Sequence, residues 1–162
     1  MVVIMMGVSG SGKTTIGQML ASSLGWEFHD GDDLHSAANK AKMHAGIALS
    51  DEDRAPWLAA IRNLIASTIA AGKNAVVACS ALKQSYRDQI VVDPAAVKIV
   101  FLKGSAELIA ARIGNRSGHF MNPALLQSQF DTLEEPRDAI VVDIGADPEE
   151  IVRTIGREIK EK

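Results

Sequence analysis

Gly7-Val8-Ser9-Gly10-Ser11-Gly12-Lys13-Thr14 decides how this chain is read. The string fits Gly-x-x-x-x-Gly-Lys-Thr, the Walker A pattern, with each demanded residue at its spacing. Before it, Val2 to Met6 is a short continuous apolar run, which suits a strand buried on both faces. After it, Thr14 to Leu24 reads as a helix that Gly25 closes. Glycines between strand and helix let the backbone curl so that successive N–H groups face inward. Those donors and the helix N-terminus cradle phosphates. In such a loop the lysine reaches the β- and γ-phosphates and the threonine hydroxyl ligates Mg²⁺. The expected nucleotide contacts are therefore Gly7, Val8, Ser9, Gly10, Ser11, Gly12, Lys13, Thr14 and Thr15. The loop alone does not choose among kinases, switches and motors.

Outward from the loop, turn signals punctuate a regular alternation of strands and helices. Trp26 to His29 reads as a second strand ending at Asp30. Ser50 with Asp53 three residues on resembles a capping box, and opens a helix from about Asp51 to Ala71 that Gly72 closes. Strands are expected at Ala75–Cys79, Val97–Leu102 and Ile140–Val142, with a helix over Gln84–Val91. Ser105 caps a helix over Ala106–Ile113. Asn122-Pro123 and Asp147-Pro148 each start a further helix, the last running to about Lys160. Strands joined by helices imply right-handed crossovers and a mostly parallel sheet covered on both faces, a three-layer α/β/α sandwich. Ligands in such sheets sit beyond the carboxyl ends of the strands.

With 162 residues the chain is expected to form a single domain spanning 1–162. Its 17 basic and 20 acidic residues give a net charge of −3, a poor match to a nucleic-acid binder. One cysteine, Cys79, allows no internal disulfide and no cysteine-based zinc site. The apolar start is too short for a signal sequence, and no run approaches the ~20 apolar residues of a membrane span. The expectation is a cytoplasmic protein without membrane or nucleic-acid partners.

Two classes of nucleotide-binding protein lack their motifs here. A guanine-reading Asn-Lys-x-Asp is missing, Asn39-Lys40-Ala41-Lys42 being the nearest string, and there is no Asp-x-x-Gly switch. A motor-type ATPase would show a strand ending in Asp-Glu; Ala139–Val142 followed by Asp143 lacks the Glu, and Asp143 is read as a loop residue near the nucleotide base. A small kinase remains. Asp30-Gly31-Asp32-Asp33 ends the second strand, beside the phosphate loop. Asp30 is expected to hold a water on Mg²⁺, and Asp32 to accept hydrogen bonds from substrate hydroxyls and help deprotonate the attacking one. An EF-hand reading fails, because His35 and Ala41 occupy the positions that require Gly and Glu.

At this point the chain resembles the gluconate kinase family of phosphate-loop sugar-acid kinases. The matching strings are GVSGSGKT (7–14), DGDDLH (30–35), Asn39 with Lys42-Met43, DEDRAPWL (51–58), CSALKQSYRD (79–88), RIGNRSGHF (112–120) and SQFDTLEEP (128–136), in the family's order. The resemblance implies a five-stranded parallel sheet, ATP and Mg²⁺ as cofactors, a mobile helical lid over about 112–135, phosphorylation of D-gluconate on its terminal hydroxyl, and a homodimer. Ser36 and Ala48 stand where the family usually has proline, which is expected to loosen the substrate-side loop by up to about 1 kcal/mol of chain entropy.

Gluconate carries a carboxylate, which a guanidinium recognises well. Arg54 and Arg87, each inside a matching string, are the candidates, with Lys42, Ser80 and His35 as further substrate contacts. Tyr86 reads equally as packing or binding. Trp57, Leu58, Ile61 and Ile65 have the spacing of a core stripe. Arg112, Arg116 and His119 form the lid set, with Gly114 and Gly118 as hinges: the arginines bring positive charge onto the transferring phosphoryl group, and His119 touches substrate or orders the lid. Expected catalytic residues are Lys13, Asp32, Arg112 and Arg116. The rivals are a kinase of shikimate or another small acid, and a non-catalytic ATP-binding regulator.

Overall fold

β1 (Val2–Met6) is buried along its whole length because both of its faces are covered. Val3 and Met5 enter one core with Ile16, Leu20, Ile109 and Ile155; Val2, Ile4 and Met6 enter the other with Trp57, Ile61, Ile65 and Ile90. That is why the strand reads as an unbroken apolar run rather than an alternation. The computed structural model describes residues 1–114 and 123–161. Around β1 lie β2 (Glu27–Asp30), β3 (Ala75–Ala78), β4 (Val97–Lys103) and β5 (Ile140–Asp143), in the spatial order β2-β3-β1-β4-β5. Every pairing is parallel, with Ile4 opposite both Val77 and Ile99. All the strands therefore end at one edge, where the phosphate loop begins.

The helices are α1 (Lys13–Leu24), α2 (Ala37–His44), α3 (Asp51–Ala70), α4 (Gln84–Ile90), α5 (Ala106–Gly114), α6 (Pro123–Thr132) and α7 (Pro148–Glu161). α7 buries Ile151, Val152, Ile155 and Ile159, a single stripe, against the α1 side of the sheet. α3 buries Trp57, Leu58, Ile61 and Ile65 on the opposite side, as their spacing indicated. Each such side chain contributes about 1.5–3 kcal/mol of burial. The Ser50/Asp53 capping box of α3 is formed in both directions, each bond at 3.0 Å. No helix among the described residues is long and apolar enough to cross a membrane.

Sequence reasoning drew no bounds for α2, and the structure adds a second finding there. Ser36 is its N-cap: the hydroxyl accepts the Asn39 N–H at 3.1 Å. Such a cap is worth about 1 kcal/mol. The serine thus offsets the loosening expected from loss of a proline at this position.

Candidate active site

The strand-to-helix loop has the curled backbone that phosphate binding requires. Gly10 and Gly12 hold φ of 82° and 98°, in the left-handed region that glycine alone enters freely. A Cβ on Gly10 would also come within 2.7 Å of the Ile113 side chain of α5, so the loop and α5 touch at that residue. Lys13 Nζ reaches back across the loop and donates to the Val8 carbonyl at 3.1 Å. Thr14 Oγ1 donates to Asp30 Oδ2 at 3.0 Å, and Asp30 Oδ1 accepts the Asp32 N–H at 3.0 Å. One hydroxyl and one carboxylate beside a phosphate cradle suit Mg²⁺, which keeps most of its waters. No cluster of three His, Cys, Asp or Glu exists among the described residues. The donor set therefore fits a metal held mainly by nucleotide phosphates and water. Thr15 is exposed in the first turn of α1.

A short 3-10 turn, Gly31–Leu34, carries Asp32 at the surface and His35 at its end. Gly31 has no room for a side chain: a Cβ there would lie 2.5 Å from the Ala78 carbonyl of β3. Its own carbonyl accepts Trp57 Nε1–H at 2.8 Å, which ties the turn to α3. His35 is buried and stacks on Trp57 with ring centroids 4.3 Å apart. Asn39 Nδ2 donates to the Asp53 carbonyl at 2.8 Å and faces His35 Nδ1 at 3.3 Å. That geometry makes Nδ1 an acceptor and leaves the proton of neutral His35 on Nε2. Burial lowers the His35 pKa, partly opposed by Asp32.

A pH dependence follows, and its sign is fixed. The unfolded chain takes up the His35 proton more readily than the folded one, so this contribution to stability is full above about pH 6.5 and is lost as pH falls from there towards the lowered folded value. Thermal melts from pH 7.5 to 5 are expected to show a wild-type Tm that falls by about 2 °C more than that of His35→Gln. Parallel curves would remove His35 from the account.

The two candidate arginines have different surroundings. Arg54 is part-buried near the start of α3; Nη1 donates to Tyr86 Oη at 3.0 Å and lies 3.8 Å from Asp51 Oδ1. Its Nε and Nη2 make no hydrogen bond among the described residues, so one edge of the fork remains for a ligand. Tyr86 is buried, which pushes its pKa up, and its hydroxyl donates to Asp51 in a short hydrogen bond. Lys83 Nζ, 3.1 Å from Asp51 Oδ1, joins the same group. Tyr86 thus both packs and polarises, holding Arg54 in place.

Arg87, expected as an acceptor contact, is by contrast only 1% exposed, and the chain itself engages its terminal nitrogens. Nη1 donates to the carbonyls of Ala81 at 2.6 Å and Leu82 at 3.2 Å. Nη2 donates to Gln84 Oε1 at 3.0 Å and the Glu134 carbonyl at 2.7 Å. Nothing on its terminal nitrogens is left for a carboxylate. Its work is to hold the chain after β3, where Ala81 takes the left-handed φ of 46°.

Of the other substrate candidates, Lys42 is engaged by Asp53, with Nζ 3.0 and 3.1 Å from the two carboxylate oxygens. Ser80 lies just past β3, its carbonyl 3.4 Å from the Gly7 N–H, which brings it beside the phosphate loop. Cys79 is buried, with a thiol pKa pushed up to about 12 by burial, as expected of an inert cysteine.

From the lid set, Arg116 and His119 lie outside the described residues, as does Gly118. Arg112, near the end of α5, donates from Nη2 to the Ile144 carbonyl just after β5. Asp143 ends β5, its carboxylate accepting the Gly145 N–H at 2.7 Å. Arg112 therefore stands with the β5 turn rather than free over the phosphate loop. One residue that sequence reasoning did not single out does reach that loop. Gln129 of α6 accepts the Ser9 N–H on Oε1 at 2.7 Å and donates from Nε2 to Ser9 Oγ at 3.1 Å. The SQFDTLEEP string contained it, but nothing in that string marks which polar residue points inward.

Comparison with known proteins agrees with this geometry. The shikimate kinase family matches residues 9–160. A gluconokinase from Gluconobacter oxydans (strain 621H) is 48% identical over 135 residues, covering 83% of this chain and 76% of the relative. A crystal structure of a gluconokinase from Sinorhizobium meliloti 1021 is 46% identical with a TM-score of 0.86, covering 94% of this chain and 87% of that one. Shikimate kinase from Aquifex aeolicus, at 16% identity and a TM-score of 0.61 over 99% and 97% of the two chains, shares the fold. With a phosphate loop at the end of β1, an acidic turn at the end of β2, and 46–48% identity to these two gluconokinases over the aligned residues, the chain belongs to the shikimate kinase family of phosphate-loop kinases and, within it, to the gluconokinases.

Proposed function

We propose that the protein transfers the γ-phosphoryl group of ATP to the terminal hydroxyl of D-gluconate. The observation that carries the reading is a run of contacts linking the phosphate loop to α3. It runs from Thr14 through Asp30 and the Gly31–Leu34 turn, by Trp57 and His35 to α3, where Arg54 keeps an open edge. A phosphate cradle tied through these contacts to a guanidinium with an open edge suits an acceptor with a hydroxyl at one end and a carboxylate at the other.

Lys13 and the loop amides hold the β- and γ-phosphates, and Thr14 and Asp30 hold the metal's coordination sphere. Mg²⁺ bound there supplies neutralisation of the charge on the transferring group. Asp32 orients the acceptor hydroxyl and takes its proton, a modest demand because phosphoryl transfer is loose and depends mainly on positioning. His35 Nε2–H donates to an acceptor hydroxyl, and Arg54 binds the carboxylate through its open edge. Lys42 and Ser80 line the acceptor side, and Arg112 adds positive charge from the β5 side of the nucleotide, the rest of the lid set, Arg116 and His119, lying outside the described residues. The same reading has the enzyme work as a homodimer in the cytoplasm, without nucleic-acid or membrane partners, in keeping with its net negative charge.

An ADP-release assay over a panel of sugar acids and shikimate tests the acceptor. Turnover with gluconate at least about tenfold above every other acid supports the reading; preference for shikimate overturns it. Arg54→Ala is expected to raise the gluconate KM by about 10- to 100-fold, the worth of a charge-assisted contact, while the ATP KM stays within about twofold. Equal rises in both constants would take the carboxylate away from Arg54.

A further inference from the structure

The Ser9–Gln129 pair has no place in the chemistry described so far, yet it joins residues 120 positions apart at the rim of the phosphate loop. Both ends of the contact are fixed independently. On the α6 side, Leu126 is buried in the core that Phe130 also packs against, and the chain after α6 is tied down at several points. The Glu134 N–H donates to the Leu82 carbonyl at 2.8 Å, the Gln84 N–H donates to Glu134 Oε1 at 3.0 Å, and Arg87 holds the Glu134 carbonyl. On the loop side, Ser9 sits between the Val8 carbonyl that Lys13 contacts and the left-handed Gly10.

That placement sets Ser9 beside the lysine of the loop. Lys13 is the side chain that reaches the β- and γ-phosphates, and its ammonium lies 3.1 Å from the Val8 carbonyl, on the Val8–Ser9 peptide. The Ser9 N–H is occupied by Gln129 Oε1. The amides from Gly10 onward remain for the inner phosphates.

We propose that Gln129 is a positioning residue for the terminal phosphate: by clamping Ser9 at two atoms it fixes the outer rim of the loop, and its influence is confined to nucleotides that carry a γ-phosphate. The inference rests on the kinase reading of the loop and not on the identity of the acceptor. A neutral amide suits the task, because a carboxylate in its place would set a negative charge beside the phosphoryl group.

Calorimetry on the full chain with Mg²⁺, in the absence of any acceptor, tests it with ADP and with a non-hydrolysable ATP analogue. Gln129→Met keeps the length and apolar packing of the side chain and removes both hydrogen bonds. It is expected to weaken the ATP analogue at least about tenfold and ADP less than twofold, with Tm within about 2 °C of wild type. Ser9→Ala removes only the hydroxyl contact and leaves α6 untouched. It should weaken the analogue about threefold, and add nothing further when combined with Gln129→Met. Equal losses for ADP and the analogue would assign Gln129 a purely structural role, and no loss for either would overturn the proposal outright. If Gln129→Met does not fold, the ADP-against-analogue split in Ser9→Ala decides alone. Because no acceptor is present, a failure here is distinct from a failure of the gluconate assay.

Discussion

Lys13→Ala is expected to lower the rate of phosphoryl transfer by about 10³-fold or more at saturating substrates, which corresponds to about 4 kcal/mol of lost transition-state stabilisation. The side chain is the one fixed cation whose place in the loop motif brings it to the β- and γ-phosphates, where charge moves during transfer. Lys13 Nζ donates to the Val8 carbonyl, within its own loop. Lys13 belongs to neither apolar core, so removing it should leave the sheet and both cores intact, with Tm changed by no more than a few degrees. An ADP-release assay and a thermal melt on the same preparation check both halves. A variant that keeps a tenth or more of the wild-type rate would show that Lys13 does not serve the transferring group. A variant that melts far below wild type would show that the loop, and not the charge, had been lost.

How much of this was legible before the fold was in view depends on where each residue's partners lie along the chain. β1, α1 and the phosphate loop are local objects: a five-residue apolar run, a glycine-rich turn and a helix follow one another, and physics acting over ten residues explains them. The capping box of α3 was legible for the same reason, Ser50 and Asp53 being three apart. α2 was not bounded because it has no apolar stripe; Asn39 is its only residue buried among the described ones, and that burial depends on His35 and Asp53 from neighbouring elements. The Gln129 clamp was invisible because its partner is 120 residues away. Thr14 with Asp30 lies between these cases: the pairing is long-range, but the parallel β1 and β2 ends bring it about, and that topology followed from the alternation of strands and helices.

Arg54 and Arg87 show the same limit most sharply, since both sit on helices inside equally specific strings, and only the fold separates them. Arg87→Ala is expected to cost about 3–5 kcal/mol of stability, enough to lower Tm by about 10 °C or more in a chain of this size. The cause is not a lost ion pair. Its guanidinium satisfies the carbonyls of Ala81, Leu82 and Glu134, and burial lowers its pKa, so the group is held by hydrogen bonds in a site that resists charge. Truncation leaves the Ala81 and Glu134 carbonyls short of a donor (Leu82 keeps the Glu134 N–H), a cavity, and an Ala81 whose left-handed backbone loses its restraint. The same carbonyls join the segment after β3 to the segment after α6. Release at Arg87 should thus also loosen the Gln84–Glu134 contact and the rim that Gln129 holds. Arg87→Lys should recover little, because a single ammonium cannot span carbonyls from two segments as a planar fork does. Urea unfolding of the two variants beside Arg54→Ala separates the roles: Arg87 variants shift the midpoint strongly, whereas Arg54→Ala leaves it near wild type and changes the gluconate KM. A wild-type midpoint in Arg87→Ala, with a raised gluconate KM, would return Arg87 to the acceptor site.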